Sequence, residues 1–333
     1  MMQRRDFIKT SVAAAGAMVL GIGCGKDDES SALLPGTAFF PQSVASGDPK
    51  PSSVVLWTRV VDSLKGANAA LQVQLEVATS PDFESVVSLA NKPQLTLEAG
   101  PDFNHCIKSR ITDLNPSTTY YYRFVYTAGD GKRYTSNTGR TRTAPSADSD
   151  SPVKFAVVSC QDYNGRYYNT MRRLANEDID FVVHLGDYIY ETTGDLSFQN
   201  VSKDRQVQFK KPQEAIVFNA GEPSEYYAAK SLSNYRDCYQ TFRSDLDLQR
   251  LHENFPFIVI WDDHEFSNDC YGSTGTYFDG AQDETDVPRR QAANQAWYEF
   301  MPVDFRDNPD FKYDSSVAPP NDISIYRDFV FGK

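Results

Sequence analysis

Three short stretches gather the side chains able to do chemistry: Ser159-Cys160-Gln161-Asp162, Gly186-Asp187-Tyr188-Ile189-Tyr190-Glu191 and Asp262-Asp263-His264-Glu265. Together they bring thiol, carboxylate, phenol and imidazole, the donor types that hold cations. Asp187 and Tyr190 stand three residues apart, so in a helical turn both can point at one ion. A carboxylate can bridge two cations, and a phenolate favours a hard trivalent ion such as Fe(III). Asp263 can give oxygen to a second ion. Cations acidify a bound water, which then attacks phosphorus in line. His264 is placed to protonate the departing alkoxide or to steady charge on phosphorus.

Taken singly, each residue has a blander reading. Cys160 is a small buried hydrophobe, Asp187 a helix cap, Tyr190 part of a core, and His264 a structural histidine satisfied by its acidic neighbours. Their shared placement argues otherwise. Each stretch directly follows a short apolar run, at 155–158, 181–185 and 257–261. In open α/β sheets, ligands collect beyond the carboxyl ends of the strands. Gly186 lets the backbone turn sharply there. His184 is expected to be buried in its strand, and His105 and His252 have no assigned role. Arg289-Arg290, after Pro288, are expected to cover a solvated helix face, with substrate phosphate as the lesser reading.

Such stretches need a parallel sheet to bring them together. Residues 168–177 hold Met171 and Leu174 at helical spacing between the first two runs, so strand, helix and strand make a right-handed βαβ unit. A helix-rich stretch, 223–254, precedes the third run. Residues 39–142 read as all-β instead. Val54-Val55-Leu56-Trp57 is an apolar strand, residues 71–77 alternate with period two, and Asp130-Gly131 marks a hairpin. The turn and aromatic strand at 114–124 resemble the corresponding stretch of fibronectin type III domains. A small β-sandwich of roughly a hundred residues fits this run. The expected domains are a β-sandwich over 38–142, a linker over 143–152 and a catalytic α/β domain over 153–333.

The N-terminus reads as an address. Arg4-Arg5-Asp6-Phe7-Ile8-Lys9 is a twin-arginine pattern, followed by an apolar stretch, 11–22, too short to span a bilayer. Residues 1–24 are expected to be a signal for the twin-arginine export machinery, with 25–37 a linker and the periplasm or cell surface as destination. Cys24, between an apolar run and a polar tether, resembles a lipoprotein acylation site and so a membrane lipid anchor. The full chain carries a formal charge of −12, and removing Arg4, Arg5 and Lys9 with Asp6 leaves it near −14. That balance gives no nucleic-acid-binding surface. The remaining cysteines, Cys106, Cys160, Cys238 and Cys270, form no disulfide framework, with Cys238 to Cys270 as the one bridge entertained.

With these residues assembled, Gly186 to Tyr190 looks like the Gly-Asp-x-x-Tyr element of purple acid phosphatases. The combination with Ser159-Cys160-Gln161, Trp261 to Glu265 and the stretch 235–254 resembles PhoD-type alkaline phosphatases more closely. The opening from Phe40 to Pro49, Trp57-Thr58-Arg59, and the stretch 289–302 are similar to that family too. The resemblance implies an α/β (α+β overall) chain: a fibronectin- or Ig-like β-sandwich, then a calcineurin-like metallophosphoesterase α/β sandwich. It implies hydrolysis of phosphate mono- and diesters with Fe(III) and Ca(II) as cofactors. Cys160 and Tyr190 would bind iron, Asp187 would bridge, and Asp263 would be a further ligand, with Asp262 as its alternative. His264 would act on the substrate. The chain stops at Gly332-Lys333, after residues 323–331, which read as an edge strand feeding another. Members of the resembled family continue further, so the catalytic domain is expected to be incomplete at its C-terminus. Two readings stand beside this one: a Zn or Mn phosphodiesterase on the same fold, and a catalytically inactive, surface-anchored binding module.

Overall fold

The computed structural model describes residues 32–199, 205–275, 284–304 and 313–333. The twin-arginine pattern and Cys24 lie outside the described residues. Nine strands come first: β1 (Leu33–Pro35), β2 (Val44–Lys50), β3 (Ser53–Arg59), β4 (Leu71–Ala78), β5 (Leu95–Ala99), β6 (Cys106–Ile111), β7 (Thr119–Thr127), β8 (Arg133–Thr135) and β9 (Gly139–Arg142). Then come β10 (Phe155–Val158), helix α1 (Asn169–Leu174) and β11 (Phe181–His184). A small sheet of β12 (Thr192–Thr193), β13 (Ile216–Phe218) and β14 (Tyr226–Ala228) follows. Helices α2 (Leu232–Phe242) and α3 (Leu246–Asn254), strand β15 (Pro256–Val259) and helix α4 (Val287–Phe300) complete the frame.

Alternation builds the first sheet, in the order β1-β8-β7-β4-β5 with β9 also on β7. Leu71, Val73, Leu75 and Val77 of β4 are buried, as are Tyr120, Tyr122, Phe124 and Tyr126 of β7. The second sheet runs β10-β11-β15-β2-β3-β6, so strands from both parts of the chain share it. β15 pairs in parallel with β2 through Pro256–Ser46 and Phe257–Gly47. The unbroken apolar run of β3 explains this. Val54 and Leu56 face the core shared with the first sheet, while Val55 and Trp57 face the core shared with the helices. A strand covered on both sides has no polar face to alternate. Trp57 Nε1 donates to the Glu299 carbonyl at 2.7 Å, and the Arg243 guanidinium lies 3.7 Å from its ring centroid. Residues 33–333 form one compact unit.

Helix ends follow their sequence signals. Ser231 and Asn234 make a reciprocal capping box on α2, and Asp245 caps α3 through the Asp247 and Leu248 amides. α1, β10 and β11 form the expected parallel βαβ unit, with Phe155 opposite Phe181 and Val158 opposite His184.

Three expectations are corrected. Residues 323–331 form no strand; side chains pin them instead of a hydrogen-bonded ladder. Arg327 holds Asp48 at 2.8 and 2.9 Å and the Val259 carbonyl at 2.7 Å, and Phe331 stacks on Phe181 with centroids 4.3 Å apart. Arg289 does not cover a solvated face. It is buried and donates to the carbonyls of Ala229 and Phe266, tying α4 to two loops. Cys238 and Cys270 form no bridge, and all four described cysteines are free. Cys238 is enclosed in the helix core, whereas Cys270 sits beside Arg290 in the turn beyond β15.

Candidate metal centre

β10, β11 and β15 lie side by side and parallel, so their carboxyl ends open on one rim. The loops leaving them are stitched together by backbone. Cys160 N donates to the Gly186 carbonyl at 3.2 Å and Gln161 N to the Asp187 carbonyl at 3.0 Å. Gly186 has φ +102°, and a β-carbon there would stand 2.4 Å from Asp262 N and 2.5 Å from its Cβ. Only glycine lets the β11 loop pass so close to the β15 loop. Cys160 and Asp187 both adopt left-handed backbone, with φ 56° and 54°, a conformation that aims their side chains at the rim at some energetic cost.

Three of the five candidate residues converge directly and Tyr190 joins them through Asp187, whereas Cys160 stands outside that group. One oxygen each of Asp187 and Asp263 and a ring nitrogen of His264 lie within 4.8 Å of one another. Tyr190 OH donates to Asp187 Oδ2 at 3.1 Å, and the nearby Cys160 thiol favours the charged form of Asp187. Asp263 Oδ2 accepts from the Asp269 amide, which leaves its other oxygen for the cluster. The Asp187 and Tyr190 side chains are buried, His264 is partly so, and Cys160 is exposed.

Two acids unassigned by the sequence reading hold this arrangement. Glu265, fully enclosed, accepts the amides of Asp187 at 3.1 Å, Tyr188 at 2.5 Å and Asp262 at 2.7 Å. A single carboxylate thus locks two strand-end loops together. Glu191, equally buried, accepts His264 Nδ1 at 2.8 Å and the Asn268 amide at 2.7 Å. Acids sitting next to candidate ligands, inside apolar surroundings, were the available signal, because a buried carboxylate needs a partner.

Charge is concentrated here. Burial lowers the His264 pKa, but the hydrogen bond and charge of Glu191, then Asp187 and Asp263, outweigh it and push it up to about 9. Burial raises Asp187, with His264 and the Cys160 thiol opposing and Asp263 adding. Burial, Asp187 and Cys160 together raise Tyr190. Burial also pushes Glu265 up to about 7 against its three amide donors. A bound cation would reverse these trends for Asp187 and Tyr190. The cluster fits one: Asp187 Oδ1 is buried with no hydrogen-bond partner, an orphaned acceptor that costs free energy in a metal-free site.

Fold and site together define an α/β chain with thiol, carboxylate, phenol and imidazole gathered at the carboxyl rim of a parallel sheet. The chain belongs to the PhoD-like phosphatase family, which it matches over residues 155–333, with the N-terminal domain of PhoD-like phosphatases matched over residues 27–145. It is 34% identical to alkaline phosphatase D of Bacillus subtilis (strain 168) over 337 residues, covering 99% of this chain and 51% of that protein. The solved structure of PhoD superposes with a TM-score of 0.63 at 33% identity, over 82% of this chain and 48% of that one. The chain therefore spans about half the length of the relatives it matches.

Proposed function

We propose that the chain supplies the cation-holding site of an exported phosphatase acting on small phosphate mono- and diesters. The observation that supports this best is the orphaned Asp187 Oδ1, on a carboxylate that clusters with Asp263 and His264 from a second strand end. Cys160 and Tyr190 would hold Fe(III), Asp187 would bridge to Ca(II), and Asp263, or Asp262 in its place, would be a further ligand. Bound cations would supply Lewis acidity and an acidified water.

The chain's own residues do the rest. Glu191 holds Nδ1 of His264, so the ring is fixed and Nε2 is the atom left to deliver a proton to the leaving oxygen. Glu265 keeps the Asp187 and Asp262 loops in register, so the donors stay in place as charge changes. The Tyr190 and His264 rings pack at a tilt of 34° with centroids 4.1 Å apart, which helps to hold the imidazole in place.

An imidazole among the clustered donors also suits Zn(II) or Mn(II). Elemental analysis of the purified chain separates this second reading from iron with calcium, and a Tyr190–Fe(III) bond adds visible colour. The decisive experiment is Asp187→Ala, expected to abolish metal content and phosphate release together. Retention of both would refute the assignment. The twin-arginine pattern supports export, which replacing Arg4-Arg5 with Lys-Lys should block. Cys24→Ser tests the lipid anchor, by release from membranes.

A further inference from the structure

Asp262 and Asp263 also line an open cavity of about 410 Å³, together with Trp261, Arg290, Pro320 and Tyr326. Its volume suits a small organic group. Arg290 stands on the first turn of α4. Its Nη1 lies 3.8 Å from Cys270 Sγ, and that sulfur lies 3.8 Å from the Asp263 carbonyl oxygen. The guanidinium carbon rests 5.1 Å from the ring centroids of both Trp261 and Phe266. Among the described residues no carboxylate pairs with Arg290, whereas Arg172, Arg236 and Arg327 each hold one. Aromatic contacts fix this cation beside the cluster and leave its donor fork for another anion.

We propose that this cavity is the leaving-group subsite and that Arg290 is its specificity-determining residue. It selects esters whose leaving group carries a second anionic group, a carboxylate or a phosphate. This rests on the phosphatase reading for the bond that breaks, and on the cavity for the second anion. An ester phosphorus at the cluster sends its leaving group along the wall it shares with the cavity, past Trp261 and Tyr326. The phosphorus–oxygen bond breaks, water oxygen bonds to phosphorus, and the departing oxygen takes a proton. Asp262 and Asp263 repel an incoming anion in the metal-free chain, so the metal-loaded chain is the species to test.

The ratio of kcat/KM for 4-carboxyphenyl phosphate over phenyl phosphate is measured for wild type, Arg290→Gln and Arg290→Lys. The ratio should fall about tenfold with glutamine, the worth of one charged hydrogen bond, and be largely restored with lysine. A merely structural loss lowers both rates, and an unchanged ratio overturns the proposal. Calorimetric binding of 4-carboxybenzylphosphonate and benzylphosphonate gives a readout without turnover. Arg290→Gln should weaken the first selectively, and equal effects on both would overturn the Arg290 assignment. If wild type hydrolyses neither ester, the phosphatase reading falls while the binding arm still decides the role of Arg290.

Discussion

Cys160 and Asp187 hold left-handed backbone, which costs a residue bearing a β-carbon on the order of 1–2 kcal/mol. The cost is met by the amide bonds between their loops and by Glu265, which accepts the Asp187 amide directly. Gly186→Ala should therefore be severe, because its β-carbon has backbone rather than a flexible side chain in its way. A loss of roughly 2–4 kcal/mol in urea unfolding is expected, with metal content lost as well. His264 gives a pH signature in the metal-free chain. Its folded pKa of about 9 lies above its ordinary 6.5. The stabilisation is therefore full below about pH 6.5 and is lost as pH rises through about 9, an effect on the order of 2–3 kcal/mol. Glu191→Gln should flatten that dependence, seen as urea midpoints at pH 6 and pH 9.5 drawing together. The cluster residues were legible because each followed an apolar run. Glu191 and Glu265 were not, since a carboxylate that accepts backbone amides from distant loops leaves no spacing pattern.

Elements were legible where one force dominates. The runs of β11 and β15 are short and apolar because a parallel sheet is covered on its faces, whereas β10, at the sheet edge, leaves Phe155 and Val157 about half exposed. The stretch 323–331 misled because Ile323, Ile325 and Arg327 alternate like a strand. Its partner is a buried acid rather than a strand edge: Asp48 has a fully enclosed side chain, and burial raises its pKa against the Arg327 charge. Arg327→Ala leaves that carboxylate unpaired inside the sheet, so a loss of about 3–5 kcal/mol is expected. Limited proteolysis should then cut within 323–331 at protease levels that leave wild type whole. Unaltered stability and cleavage would mean that other contacts hold the segment.

At the scale of the molecule, one sheet runs from β6 through β15 to β10, so the strands that carry the cluster rest on strands from the N-terminal part. Trp57 links the layers through Glu299 and Phe300. Unfolding should be a single transition, with far-ultraviolet dichroism and tryptophan fluorescence coincident in urea. Two separated midpoints would show that the shared sheet does not couple the parts. A net charge of −12 adds to the demand for cations at a rim already carrying Asp187 and Asp263. The most direct test of that demand is anomalous X-ray scattering from crystals of the metal-loaded chain. One peak is expected in contact with Cys160, Asp187 and Tyr190, and a second shared between Asp187 and Asp263. Peaks only at other sites, or Asp187 and Asp263 surrounded by water alone, would contradict a metal centre here.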